Sequence, residues 1–422
     1  MLILLAAIGA LGSIAIHLVV PALPDIAASV SATPAQVQLA ISFYLAGMAA
    51  GQLAGGYAAD RLGRRPVILA AIALFTAASL AAAFSNSVAL LIGFRFLQAA
   101  GGGAAVIAAR AVLADISPAD MLARRMAAMM SLLLMSPALS PVLGGLLASY
   151  GGWRANFLFL SACGAGLLAA SFTNIRESLS RAGGDKPAGL RAGYAVVLRY
   201  QAFWRFSFVI ACSSSVMFGF LATSPFFLIQ QYGLSPAAAG WCYFAVAGAG
   251  IGGTFAVKTF ERRGGAFRAG AALCVCGCVA ILCCGFAGLQ GVLPLIAPMM
   301  FVAFGVGISA PAGVASILRL IEGRAGAASS LSGAFQMLAA GLTTTFLAQW
   351  PIEDLAALGA PLLAISVAGL ILAPPGRVSN GSGAEKSVAG AVTLATRAAS
   401  PASRAATGVT AAPRSTAQTA MA

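Results

Sequence analysis

The sequence predicts an all-α membrane protein of twelve transmembrane helices in two six-helix bundles. Three observations carry that prediction. Of 422 residues, 60% are hydrophobic and only 9% are charged. A soluble domain carries about 25% charge, so this chain cannot cover itself for water. Twelve apolar runs follow one another, and about 20 such residues let an α-helix cross hydrocarbon while it satisfies its own backbone groups. Finally, a polar stretch divides the twelve into two sets of six.

The first six runs lie near 2–22, 36–57, 67–84, 88–112, 126–148 and 155–174. The second six lie near 203–223, 237–257, 267–287, 291–318, 326–348 and 355–373. The chain thus reads as an N-terminal bundle (1–174), a cytoplasmic linker (175–201), a C-terminal bundle (202–373) and a tail (374–422). The opening residues Met1-Leu2-Ile3-Leu4-Leu5 lack the basic region of a cleaved signal and are read as the start of the first span. The tail is rich in Ala, Ser, Thr, Gly and Pro, and its composition predicts disorder.

Charge sets the orientation. The stretch 55–66 packs Asp60, Arg61, Arg64 and Arg65 between two apolar runs and reads as a tight loop, which the positive-inside rule places in the cytoplasm. Of 25 Lys and Arg, only Arg95, inside a span, and Arg154, in an outer loop, escape the cytoplasmic side. Both termini then lie in the cytoplasm. The net charge of +14 follows from this bias. Nucleic acid is excluded as a partner, because the basic residues are scattered over short loops with no aromatic interleaving.

All eight cysteines fall inside predicted spans, which excludes a secreted disulfide framework. On the ninth span Cys274 and Cys278 share a face and Cys276 points elsewhere. Small, polarizable filler is preferred to a soft-metal site, so no metal and no cofactor are expected. No nucleophile–base pair or phosphate-cradling loop supports an enzyme.

The halves repeat one plan. Gly252-Gly253 and Lys258-Thr259-Phe260-Glu261-Arg262-Arg263-Gly264 lie between spans eight and nine as the arginine loop lies between two and three. Such a duplication places a substrate site where the halves meet.

The pattern Gly56, Asp60, Arg61, Gly63, Arg64, Arg65 between spans two and three resembles the signature loop of the major facilitator superfamily of secondary transporters. Further motifs resemble its bicyclomycin-resistance branch of drug:proton antiporters. They are Arg95-Phe96-Leu97-Gln98 before Gly101-Gly102-Gly103, and Ala109-Arg110-Ala111 with Asp115. Ser136-Pro137-Ala138-Leu139-Ser140-Pro141-Val142-Leu143-Gly144-Gly145 resembles the antiporter motif, with serines replacing two of its glycines. Gly152-Trp153-Arg154 and Arg176-Glu177-Ser178-Leu179 agree as well. The resemblance implies a secondary transporter of the multidrug type in the bacterial inner membrane. It would export small, mostly lipophilic compounds by proton antiport and act as a monomer, with substrate, protons and lipid as its partners. A metabolite exporter or facilitator without proton coupling is the alternative. A membrane sensor or intramembrane enzyme is a remote one.

The resemblance further implies that Asp60 ties its loop to Arg64, Arg110 and the positive N-terminal end of the eleventh helix, as a latch. It assigns proton coupling to Arg95 and the hinge to Pro141, Gly144 and Gly145. A guanidinium inside a span is costly and faces either a wet cavity or a partner. Arg95 is therefore either a coupling residue or an anchor on backbone carbonyls of a neighbouring helix.

One departure bears on mechanism. At the end of the first span the branch writes Asp-x-Tyr-x-Pro-Ala-Leu-Pro, whereas this chain writes His17-Leu18-Val19-Val20-Pro21-Ala22-Leu23-Pro24. An imidazole stands where a carboxylate is expected, and no Asp or Glu lies inside any predicted span. Unperturbed His titrates near neutrality, so His17 reads as a proton carrier, a neutral substrate contact or a satisfied structural residue. Gln38, Tyr44, Gln98, Ser214 and Phe218 complete the candidate cavity.

Overall fold

The first helix outruns its predicted span. In the computed structural model, which describes residues 1–178, 194, 196–262, 265–320 and 325–374, α1 covers Leu2–Val19, tightens through a 3-10 turn at Val20–Ala22 and resumes over Leu23–Ser29. Pro21 and Pro24 cause the tightening, because neither has an N–H to donate. The 28-residue stretch is about 42 Å long at 1.5 Å per residue, against about 30 Å of hydrocarbon. Asp25 thus belongs to the helix, near its end, rather than to a loop.

Helices α2 (Pro34–Leu62), α3 (Arg64–Ala83) and α4 (Val88–Asp115) follow. Thr33 starts α2 through a reciprocal capping box with Gln36, and Ser87 caps α4 by accepting from Leu90 N–H. The fifth and sixth spans form one stretch, Ala119–Asn174, interrupted at Gly152, whose φ of +69° suits glycine alone. That break yields α5 (119–151) and α6 (153–174), and twelve spans in all.

The second set comprises α7 (Gln201–Pro225, widened into a π turn over Phe226–Gln231), α8 (Pro236–Arg262) and α9 (Ala266–Phe286). It continues with α10 (Val292–Leu320), α11 (Ala325–Gln349) and α12 (Leu355–Leu372). Among the described residues every regular element is helical. The tail 375–422 and most of the linker lie outside the described residues.

Small residues set the packing. On α2, Gly47, Gly51 and Gly55 recur every turn, and each lies directly against α4 at Phe96, Ala100 and Ala104. On α8, Gly250 and Gly253 meet Gly307 and Phe304 of α10 in the same way. Lipid offers no hydrophobic drive for helices to associate, so close backbone approach at such residues supplies much of the contact. The matching α2–α4 and α8–α10 pairs are the repeat made visible.

Two helix pairs join the bundles. Between α2 and α11, Gly341 lies against the Ser42 backbone, and Ser42 and Thr344 share a 2.8 Å hydrogen bond. Between α5 and α8, Gly145 meets the Pro236 carbonyl and Gly240 the Pro141 carbonyl. Gly144 faces elsewhere, against the Leu18 carbonyl of α1. The Pro141, Gly144, Gly145 cluster thus serves two contacts, one within a bundle and one between bundles.

On α9, Cys274 and Cys278 are buried while Cys276 and Cys283 are exposed, which is the helical phase read from sequence. Cys274 S–H donates to the Val302 carbonyl of α10 at 3.5 Å.

Candidate functional site

The residues expected to line one cavity are distributed over three places. The first is sealed inside the N-terminal bundle. Arg95 on α4 is 1% exposed. Its Nη1 donates to the Ala15 carbonyl of α1 at 3.1 Å and to Gln98 Oε1 at 2.7 Å. Gln98, wholly buried, passes the chain on to Ser79 Oγ of α3 at 2.7 Å. The guanidinium carbon lies 3.9 Å from the ring centroid of Tyr44 and 5.8 Å from that of Phe157, and desolvated cation–π pairs of this kind are strong. Tyr44 in turn donates to the Gly12 carbonyl at 2.7 Å. The crevice beside Arg95 is lined by aliphatic side chains and has no room for a water. Arg95, Gln98 and Tyr44 therefore do not line the space between the bundles. The helix phase turns them into the N-terminal core, where residues of α1, α2, α4 and α6 meet the guanidinium.

The second place is the interface itself. His17 on α1 is partly exposed, and its Nδ1 lies 2.7 Å from the Ser13 carbonyl. A carbonyl only accepts, so Nδ1 carries the hydrogen and neutral His17 keeps an open lone pair on Nε2. Its ring faces Phe218 of α7 with centroids 6.3 Å apart. Ser214, one turn earlier on α7, accepts a hydrogen bond from the Gln336 amide of α11. Ser136 on α5 donates to Ser13 at 2.6 Å, so a serine that departs from the antiporter motif joins α5 to the turn holding His17.

Gln38 occupies the third place, near the start of α2, beside residues of α7 and α11 and none of those named above. It lines a separate cavity.

The arginine stretch is more helical than expected. It shrinks to a single non-helical residue, Gly63, with φ of +107°, because charged side chains at helix ends reach water without unwinding the backbone. Arg64 is the hub. It pairs with Asp60 and, through Nε, with Asp115 at 3.2 Å. Arg110 does not reach Asp60 and donates instead to Met130 Sδ at 3.8 Å. Two carboxylates not assigned a role from sequence complete the assembly. Asp115 accepts from Arg64 and Ser178. Glu177 accepts from the backbone N–H groups of Arg64 and Arg65 at 2.9 and 3.2 Å, which places an anion on the positive end of α3. Arg65 reaches the Phe172 carbonyl and ring, Arg61 lies over Tyr57 at 4.4 Å, and Gly56 faces Ile107 and the Tyr194 hydroxyl.

Of the second-half counterpart, Gly252-Gly253 and 258–262 lie within α8, and Arg263 and Gly264 lie outside the described residues.

A family model for the Major Facilitator Superfamily matches residues 3–344. The chain belongs to that superfamily. Among curated relatives, a chloramphenicol resistance protein of Pseudomonas aeruginosa is 30% identical over 309 residues, 72% of this chain and 73% of that protein. The multidrug resistance protein MdtL of Escherichia fergusonii is 34% identical over 213 residues. That match spans about half of each chain (50% and 54%). Among solved structures, a D-xylose–proton symporter superposes with a TM-score of 0.70 at 17% identity, over 89% of this chain and 97% of its own. A bacterial homologue of the human lysosomal transporter Spinster, inward-facing and unoccupied, gives 0.68 at 18% identity, over 88% and 93%. At those identities the likeness shows the fold, and the twelve-helix major facilitator fold is the one found. The chain is a multi-pass membrane transporter of this superfamily, and its relatives are transporters rather than enzymes.

Proposed function

We propose that this transporter exports small, mostly lipophilic organic compounds across the bacterial inner membrane in exchange for protons, by alternating access. One observation carries the reading. His17 stands where the two bundles meet, with Nδ1 committed to Ser13 and Nε2 open opposite Phe218. Protonation at Nε2 would create a charge that the closed, apolar contact between the bundles desolvates, which favours an arrangement that admits water there. Substrate would compete for that space, with Phe218 supplying apolar contact and Ser214 a hydroxyl. Arg95 takes the positioning role behind this site. Its bond to Ala15 fixes the turn of α1 that carries His17, so Arg95 acts on coupling through α1.

In this reading the arginine-rich end faces the cytoplasm, with both termini there, and the Asp60, Arg64, Asp115 and Glu177 assembly is the latch between conformations. Gly145 and Gly240 provide the pivot. Chloramphenicol, from the name of one relative, is the first compound to try.

The experiment is uptake into inside-out proteoliposomes of neutral, cationic and anionic lipophilic compounds, with and without an imposed proton gradient. Accumulation above equilibrium that collapses with a protonophore is expected, together with its loss in His17→Ala. Equal equilibration in both conditions would instead support a facilitator. That second reading has an observation of its own, since no described carboxylate bonds or pairs with His17.

A further inference from the structure

At the end of the bundles remote from the arginine cluster lies a cavity of about 540 Å³, enough for a drug-sized molecule. Its walls are the first turns of α2, the π turn of α7 and the last turn of α11 with the residues beyond it. None of the residues at the His17 interface lines it.

Three features make it a built site. Gln38 is 7% exposed, and its Oε1 is buried without any hydrogen-bond donor. An unmet buried acceptor costs about 1–3 kcal/mol, which a ligand donor recovers once the Gln38 amide turns toward the cavity, since Oε1 itself is closed to solvent. Next, the α-helix of α7 gives way at Pro225 to a π turn, closed by Tyr232 N–H to the Phe227 carbonyl at 2.8 Å. This turn closes the C-terminal end of α7, and four of its six residues, Phe226, Phe227, Gln230 and Gln231, line the cavity. Finally, the lining contains aromatic, aliphatic, amide and hydroxyl groups, Trp350 among them, and no ionisable side chain. A charged guest would lose hydration there with no counter-charge to replace it.

We propose that this cavity is a second binding site, which takes an uncharged apolar molecule bearing an N–H or O–H group. Gln38 Oε1 accepts from that group, Gln230 and Gln231 supply further amides, and Trp350 and Phe226 cover the apolar body. The site is independent of proton coupling at His17.

The test uses the purified full-length protein and 4-nitrobenzamide, an uncharged aromatic amide whose nitro group quenches indole fluorescence. Saturable quenching is expected. Trp350→Phe should remove the saturable component, Gln38→Leu should weaken binding at least tenfold, and exposed Gln230→Leu should weaken it severalfold without endangering the fold. 4-Nitrobenzoate should show no saturable quenching, and His17→Ala should bind as the unaltered protein does. Absence of saturable quenching, undiminished binding in both glutamine variants, or equal binding of the carboxylate would overturn the proposal. Loss of binding in His17→Ala would reassign the ligand to the His17 site, which leaves the export reading standing and removes this second site.

Discussion

Arg95 and His17 are basic side chains on neighbouring helices, and one hydrogen bond nearly joins them, since Arg95 donates to the carbonyl two residues before His17. Their surroundings differ in kind. Arg95 has a carbonyl, an amide and two aromatic rings around it and no water. His17 has one ring nitrogen satisfied and the other open, with the opposite bundle in front of it. An enclosed cation, bonded through Nη1 and packed between two rings with its Nε buried and unpaired, fixes a structure. A half-satisfied group at a moving interface can change partners, and a transport cycle requires such changes.

The largest effect is expected from Arg95→Ala. It empties a buried site and strands Gln98 Oε1 and the Ala15 carbonyl, and each buried acceptor left unmet costs about 1–3 kcal/mol. Thermal unfolding of the purified protein should show a large drop, with Arg95→Lys recovering only part of it because an ammonium lacks the planar fork. Unchanged stability in the alanine variant would erase the contrast with His17. Next come the paired glycines. Gly145→Leu forces bulk against Pro236 between the bundles, and overpacking of this kind costs about 1–3 kcal/mol. It should slow transport more than it lowers stability. Gly144→Leu, against Leu18 within one bundle, should do the reverse, and measuring both quantities for both variants sharpens the distinction.

His17→Gln keeps size and polarity but loses the titrating nitrogen. Gradient-driven accumulation should fall at least tenfold, which corresponds to about 1.4 kcal/mol, while the unfolding temperature stays close to that of the parent protein. A large loss of stability would place His17 in the same class as Arg95. The smallest effect belongs to Glu177→Gln at the surface. Losing an anion from the N-terminus of α3 costs about 0.3–1 kcal/mol, and added salt should mask the difference.

The motif letters were legible in the sequence where their reason is local. Gly63 and Gly152 mark turns because their positive φ values suit glycine. The phase of Cys274, Cys276 and Cys278 follows from helical geometry. Gln336 escaped notice although it carries the same signal as Gln38, a lone amide in an apolar span. The roles of Asp115 and Glu177 were hidden for another reason. Each meets Arg64 across more than fifty residues of chain, and no spacing rule reaches that far.

By itself the sequence determined that the chain spans the membrane twelve times, and it showed one loop plan in both halves. Composition, run length and periodicity are properties of the chain alone, and hydrocarbon permits few answers to them. Only the tertiary structure decided which polar side chain faces which space. A residue's direction depends on where its helix lies among its neighbours. Rotation there separates a sealed guanidinium from an imidazole that faces the opposite bundle.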